Sequence, residues 1–214
     1  MGKDTLLRTD DRLRVALDVD ATLALYHHIL AADWGAMVGR QFTIDDITEW
    51  DTEQTKLGLP LKKLRELYND IWNNKQDQIL PTVDPRTLRE FMGAFSVDLV
   101  TQRSQGTVAP LESWLAANFP GVVFTIDTTK TIEEKLGRGY DIHIDDSNPL
   151  ADLFAAKAKG TEGKHLYLVT QPWNKDKGYD RYDNITVVND LPDAIALIRK
   201  ACSTERSVRR RNVT

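Results

Sequence analysis

The 214-residue sequence contains a single cysteine, Cys202, so no internal disulfide can form and a reducing setting is expected. It lacks any apolar run near the about 18 residues a membrane-spanning helix needs, and it lacks an apolar leader at its start. The expectation is therefore a cytoplasmic protein with no membrane segment. Charge of one sign is also missing: 28 basic residues stand against 32 acidic ones, for a net charge of -4. That removes the electrostatic case for nucleic acid or an anionic membrane surface as a partner. Internal repeats and low-complexity linkers are absent, and only the end of the chain is unusual, with the basic stretch Arg206–Arg211. What is present is ordinary for a packed domain, 41% hydrophobic and 28% charged, with room for one core and a smaller insertion.

Short apolar runs mark the strands. They are expected at 12–19, 95–100, 122–126, 140–144, 166–169 and 185–188. Helical periodicity fills the gaps after residue 84, in 85–94, 111–118, 149–159 and 192–201. Asp84 before Pro85 is a helix-start signal. Strands alternating with helices predict an α/β fold, a doubly wound, mostly parallel sheet of Rossmann type. Residues 23–84 read differently, with helical pattern in 24–37 and 57–72 and no strand. The expected organisation is a catalytic core of 12–22 and 86–202, a small helical cap of 23–85 inserted after the first strand, and a loose basic tail of 203–214.

The chemistry concentrates at the strand ends. Asp18-Val19-Asp20-Ala21-Thr22 follows the first apolar run, Thr101 follows the second, and Asp145-Asp146-Ser147 follows the fourth. In a parallel sheet these ends meet on one edge. Two carboxylates two residues apart repel each other unless a cation compensates them. Asp18 suits a nucleophile toward phosphorus, and Asp20 suits a general acid and base for the leaving alkoxide and the attacking water. Thr22 and the loop N–H groups can orient phosphate oxygens. Thr101 offers a hydroxyl, Lys135 a fixed positive charge, and Asp145 and Asp146 the hard oxygen ligands that Mg²⁺ prefers.

These motifs, in this order, resemble the haloacid dehalogenase superfamily of aspartate-nucleophile phosphohydrolases. More narrowly the chain is similar to the 5'(3')-deoxyribonucleotidase branch. That similarity rests on Asp46-Ile47-Thr48-Glu49-Trp50, Trp114-Leu115 with Asn118-Phe119-Pro120, the ten-residue step from Lys135 to Asp145, and Gln171-Pro172-Trp173-Asn174. The resemblance spans about residues 12–200. It implies Asp18 as nucleophile and Mg²⁺ ligand, and Asp20 as general acid/base that also binds Mg²⁺ through its carbonyl. It implies Thr101 and Lys135 as holders of the phosphoryl group, and Asp146, supported by Asp145, as the further metal ligand. The implied activity is Mg²⁺-dependent hydrolysis of a nucleoside monophosphate, a deoxyribonucleotide, with a homodimer as one option for assembly. The chain departs from that pattern in three places. Ala21 replaces a more usual glycine, so a negative φ is expected there. Gln102-Arg103 follows Thr101, and Glu133 stands where a basic residue is usual.

Blander readings compete. Trp50, Tyr68 and Trp72 are candidates to stack on a nucleobase, or else they fill the core of the insertion. Arg103 reaches a phosphate or pairs with a surface carboxylate. Lys135, taken alone, reads as a solvated helix lysine. A phosphatase of another metabolite, such as a sugar phosphate, would keep every catalytic residue, and a catalytically silent binding protein would keep the fold.

Overall fold

The computed structural model describes residues 12–49, 58–103 and 105–211, with side chains through 203. β1 (Arg14–Leu17) runs into an insertion of β2 (Ala24–Leu25), α1 (His27–Val38), α2 (Leu61–Asn74) and β3 (Leu80–Pro81). The chain then alternates through α3 (Pro85–Ala94), β4 (Ser96–Thr101), α4 (Val108–Asn118), β5 (Ile126–Thr128), α5 (Ile132–Gly137), β6 (Ile142–Asp145) and α6 (Asn148–Ala155). It ends with β7 (His165–Val169), β8 (Ile185–Val188) and α7 (Leu191–Arg211). Six of the strands form one parallel sheet in the order β5-β4-β1-β6-β7-β8, the α/β fold the alternation predicts. β1 and β6 are buried on both faces because helices cover both sides. The connection from β1 leads toward β4 and that from β6 toward β7, so the crevice between β1 and β6 is the switch point of the winding.

Local signals work as the sequence suggests. Asp84 caps α3 by accepting from the Arg86 and Thr87 N–H groups, with Pro85 in the first turn. Ser147 caps α6 in the same way, accepting from the Leu150 N–H. Other elements differ from expectation. The run 122–126 does not pair along its length; β5 starts only at Ile126, where its register against Leu99 begins, and Val123 is 88% exposed. An edge strand has a partner on one side only, so β4 decides where pairing can start. The insertion does contain strands: Ala24 and Leu25 pair antiparallel with Pro81 and Leu80, too short a ladder to leave a periodic pattern. The six-residue α5 escapes periodicity for the same reason. α7 continues through Arg211, into the stretch expected as a loose tail.

The insertion is packed onto the core by aromatic rings. Tyr26, Tyr68, Trp72, Trp114 and Phe119 form a chain of ring contacts running from α1 and α2 to α4. The Trp114 indole N–H donates to the Ile79 carbonyl at 3.1 Å, tying α4 to the base of the insertion. No helix among the described residues is long and apolar enough to cross a membrane.

Candidate active site

Asp18 follows β1 directly, and its N–H donates to the Ile144 carbonyl of β6 at 2.9 Å, so the acidic loop leaves the sheet at the switch point. The next residues turn sharply. Val19 O accepts from the Leu23 and Ala24 N–H groups, and Ala21 N–H donates to Ala24 O at 3.0 Å. This reversal puts Ala21 at φ 63, correcting the expectation of a negative φ. The Gln171 amide helps hold the conformation, donating to Ala21 O at 2.8 Å. A buried alanine in the left-handed region is tolerated, whereas a β-branched residue there is strained and overpacked. Ala21→Val is expected to cost about 2 kcal/mol or more. Ala21→Gly, which relieves φ but loses a buried methyl, should stay within about 1 kcal/mol of the parent. Urea denaturation measures both.

Three buried carboxylates meet at the crevice: oxygen atoms of Asp18, Asp145 and Asp146 all lie within 4.8 Å of one another. The Lys135 ammonium is inserted among them, 2.6 Å from Asp18 Oδ1 and 2.5 Å from Asp145 Oδ2. α5, started by the Thr131 hydroxyl accepting from the Glu134 N–H, carries Lys135 there and buries it. The solvated-lysine reading therefore fails, and Glu133, two residues earlier and on the opposite side of α5, is exposed. Burial pushes the Asp18 carboxyl up to about 7, opposed by Lys135 and reinforced by Asp145 and Asp20. Burial, with Asp18 and Asp145 beside it, likewise drives Asp146 well above the usual carboxylate range. Burial lowers the Lys135 pKa, but Asp145 and Asp18 outweigh it and hold the ammonium above its ordinary value.

The residues fit a hard divalent cation. Asp146 Oδ2 is buried without a hydrogen-bond partner, and two more carboxylates stand within ligand-sharing distance. Asp146 is held by its neighbours: Thr22 Oγ1 donates to Asp146 Oδ1 at 3.3 Å, while the Trp173 indole and the Asn174 amide donate to its carbonyl at 3.1 and 3.0 Å. Thr22, expected to touch substrate, is instead fully buried and orients Asp146. Gln171, Trp173 and Asn174 were visible as a segment after β7, but nothing in their order revealed which backbone carbonyls they hold.

Asp20 lies outside that trio. Its carboxylate accepts from Arg103 Nη2 at 3.1 and 3.0 Å, from the Tyr68 hydroxyl at 3.1 Å and from Thr101 Oγ1 at 3.4 Å. Arg103 is a buried partner here, not a surface one, with its guanidinium 4.2 Å from the Trp72 ring centroid. Trp72 is wholly buried beneath Arg103 and offers no face to a ligand, so of the two described aromatic candidates only Tyr68 borders open space. Trp50 lies outside the described residues. A cleft of about 550 Å³ opens beside Asp20, walled by Tyr26, Leu61, Leu64 and Tyr68 of the insertion and reaching the loops after β4 and β5. Tyr26 gave no signal in the sequence beyond its place in an apolar stretch.

No protein-family model and no curated protein matches the chain. Solved structures do. A haloacid dehalogenase-like hydrolase from Bacteroides fragilis superposes with a TM-score of 0.55 at 16% identity, covering 81% of this chain and 96% of that one. One from Burkholderia xenovorans gives 0.55 at 14%, covering 88% and 97%. A third, from Deinococcus radiodurans with bound phosphate and sodium, gives 0.54 at 16%, covering 91% and 97%. At such identities the likeness establishes the fold, that of haloacid dehalogenase-like hydrolases.

Proposed function

We infer that the protein is a Mg²⁺-dependent phosphomonoesterase acting through an aspartyl-phosphate on Asp18. The observation that carries this reading is the grouping of Asp18, Asp145, Asp146 and Lys135 at the switch point, with Asp20 two residues beyond Asp18. Asp18, Asp146 and Asp145, with the Asp20 carbonyl, would hold the cation, which supplies charge neutralisation for the phosphoryl oxygens. An Asp18 oxygen attacks phosphorus as the bond to the leaving oxygen breaks, and Asp20 gives that oxygen a proton. Asp20 then takes a proton from water, which attacks the aspartyl-phosphate to release inorganic phosphate and regenerate Asp18. Lys135 steadies the negative charge on Asp18 and its phosphoryl adduct, and Thr101 adds a hydroxyl beside Asp20. Arg103 and Tyr68, which both line the cleft, hold the Asp20 carboxylate, so the leaving group would lie on that side.

The substrate on this reading is a nucleoside monophosphate, a deoxyribonucleotide; its support is the motif resemblance together with a cleft whose wall includes Tyr26 and Tyr68. Phosphate release from deoxy- and ribonucleoside monophosphates and sugar phosphates, each with Mg²⁺ and with EDTA, tests it. Release is expected on nucleotides and is expected to stop in EDTA. Release from sugar phosphates alone would keep the mechanism and remove the nucleotide. No release from any ester would remove the enzyme.

A further inference from the structure

The cleft beside Asp20 is unusual in its charge. Arg103, Arg65 and Lys130 line it, and no carboxylate does so among the described residues. Arg65 comes from α2 of the insertion and Lys130 from the loop after β5, so two separate parts of the chain bring cations to one opening. Arg103 is engaged by Asp20, but neither the Arg65 guanidinium nor the Lys130 ammonium has an ion-pair partner among the described residues. Deeper in the cleft, Thr129 is 4% exposed, and its hydroxyl has no hydrogen-bond partner. Arg103 Nε is buried and also lacks one. Buried groups left unpaired, as Thr129 Oγ1 and Arg103 Nε are, invite a ligand, and the exposed Arg65 and Lys130 add positive charge at the rim of the same opening. Thr129 N–H is bonded to the Thr101 carbonyl, so these groups sit one strand over from the reacting centre, on the leaving-group side.

We propose that this cleft is a second anion subsite, and that the natural substrate's leaving group carries a carboxylate or a second phosphate bound by Arg65, Lys130 and Thr129. The inference rests on the phosphatase mechanism and departs from the nucleoside monophosphate, whose leaving nucleoside carries no anion: it requires an ester with two anionic groups, one hydrolysed at Asp18 and one retained by the leaving group. The apolar walls from Leu61, Leu64, Tyr26 and Tyr68 would cover the carbon skeleton between them.

Two substrate pairs that differ only in the second anion test this by steady-state kinetics with Mg²⁺. They are phenyl phosphate against 4-carboxyphenyl phosphate, and a nucleoside 5'-monophosphate against its 3',5'-bisphosphate. The doubly anionic member of at least one pair should be favoured by about tenfold in kcat/KM, mainly through KM. The favoured pair says whether the subsite takes carboxylate or phosphate. Arg65→Gln and Lys130→Gln should each shrink the ratio severalfold, while Lys157→Gln, in the turn after α6, leaves it unchanged. Hydrolysis of phenyl phosphate with ratios near one in both pairs overturns the subsite alone. Ratios that survive both substitutions overturn it too. Absence of release from every ester overturns the phosphatase reading and the subsite with it.

Discussion

Asp18→Asn is expected to reduce Mg²⁺-dependent phosphate release on the order of 10⁴-fold or more, to background, because on the proposed mechanism Asp18 carries the phosphoryl group. The fold should survive the change. An amide keeps the size of the side chain, and Lys135 retains Asp145 at 2.5 Å. The same substitution should alter stability with a definite sign. Asp18 is raised from the usual 3.8 to about 7 in the folded protein, so the native state holds a proton that the unfolded chain releases. Stability from this group is therefore full below about pH 4 and is lost as pH rises toward 7. Asp146, also raised, adds to the loss in the same direction. Asp18→Asn should flatten that decline, giving a variant that melts higher than the parent near pH 8 without Mg²⁺, by on the order of a few kcal/mol. Thermal melts across pH 4–8, with and without Mg²⁺, measure the effect. A parent protein that gains stability steadily from pH 4 to 8 without Mg²⁺ would contradict it.

Lys135→Met should be the most damaging single change to stability. It removes the only described side-chain cation in contact with Asp18 and Asp145, leaving three buried carboxylates to repel one another. Removing one partner from a buried ion pair costs about 3–5 kcal/mol. Because the Lys135 ammonium is held above its ordinary pKa, its contribution is present through the whole neutral range, so the loss appears at any pH where the carboxylates are charged. The expected signature is a melting temperature far below the parent at pH 8, partial recovery near pH 5 as the carboxylates take up protons, and partial recovery with millimolar Mg²⁺ at pH 8. Recovery with Mg²⁺ but not with an equal ionic strength of NaCl separates a bound cation from general screening. Phosphate release should stay low even where the fold is restored, since the charge beside Asp18 is gone.

Much of this site was legible in one dimension because strand ends carry their chemistry with them. Asp18, Thr101 and Asp145 each terminate a run of buried apolar residues, and parallel strands necessarily bring such ends to one edge. Asp84 before Pro85 announced a helix for an equally local reason. The alternation of the sheet strands with the longer helices, and hence the α/β class, follows from apolar spacing, whereas β2, β3 and α5 are too short to leave it.

The remaining decisions are tertiary. Apart from its ten-residue step to Asp145, Lys135 reads as a surface lysine; only the tertiary fold, with α5 against α6, buries it between Asp18 and Asp145. Ala21 reads as an unstrained substitute for glycine until the loop's own hydrogen bonds are seen to demand φ 63. Trp72 and Tyr68 lie four residues apart on one helix, yet Arg103, arriving from β4, covers the first and leaves the second at the cleft. Arg65 and Lys130 are 65 positions apart, and their shared opening exists only once the insertion rests on the core. Spacing along a chain determines what each element is, because it depends on local backbone geometry. Which side chains meet is set by burial and packing between elements, and that information is distributed over the whole fold.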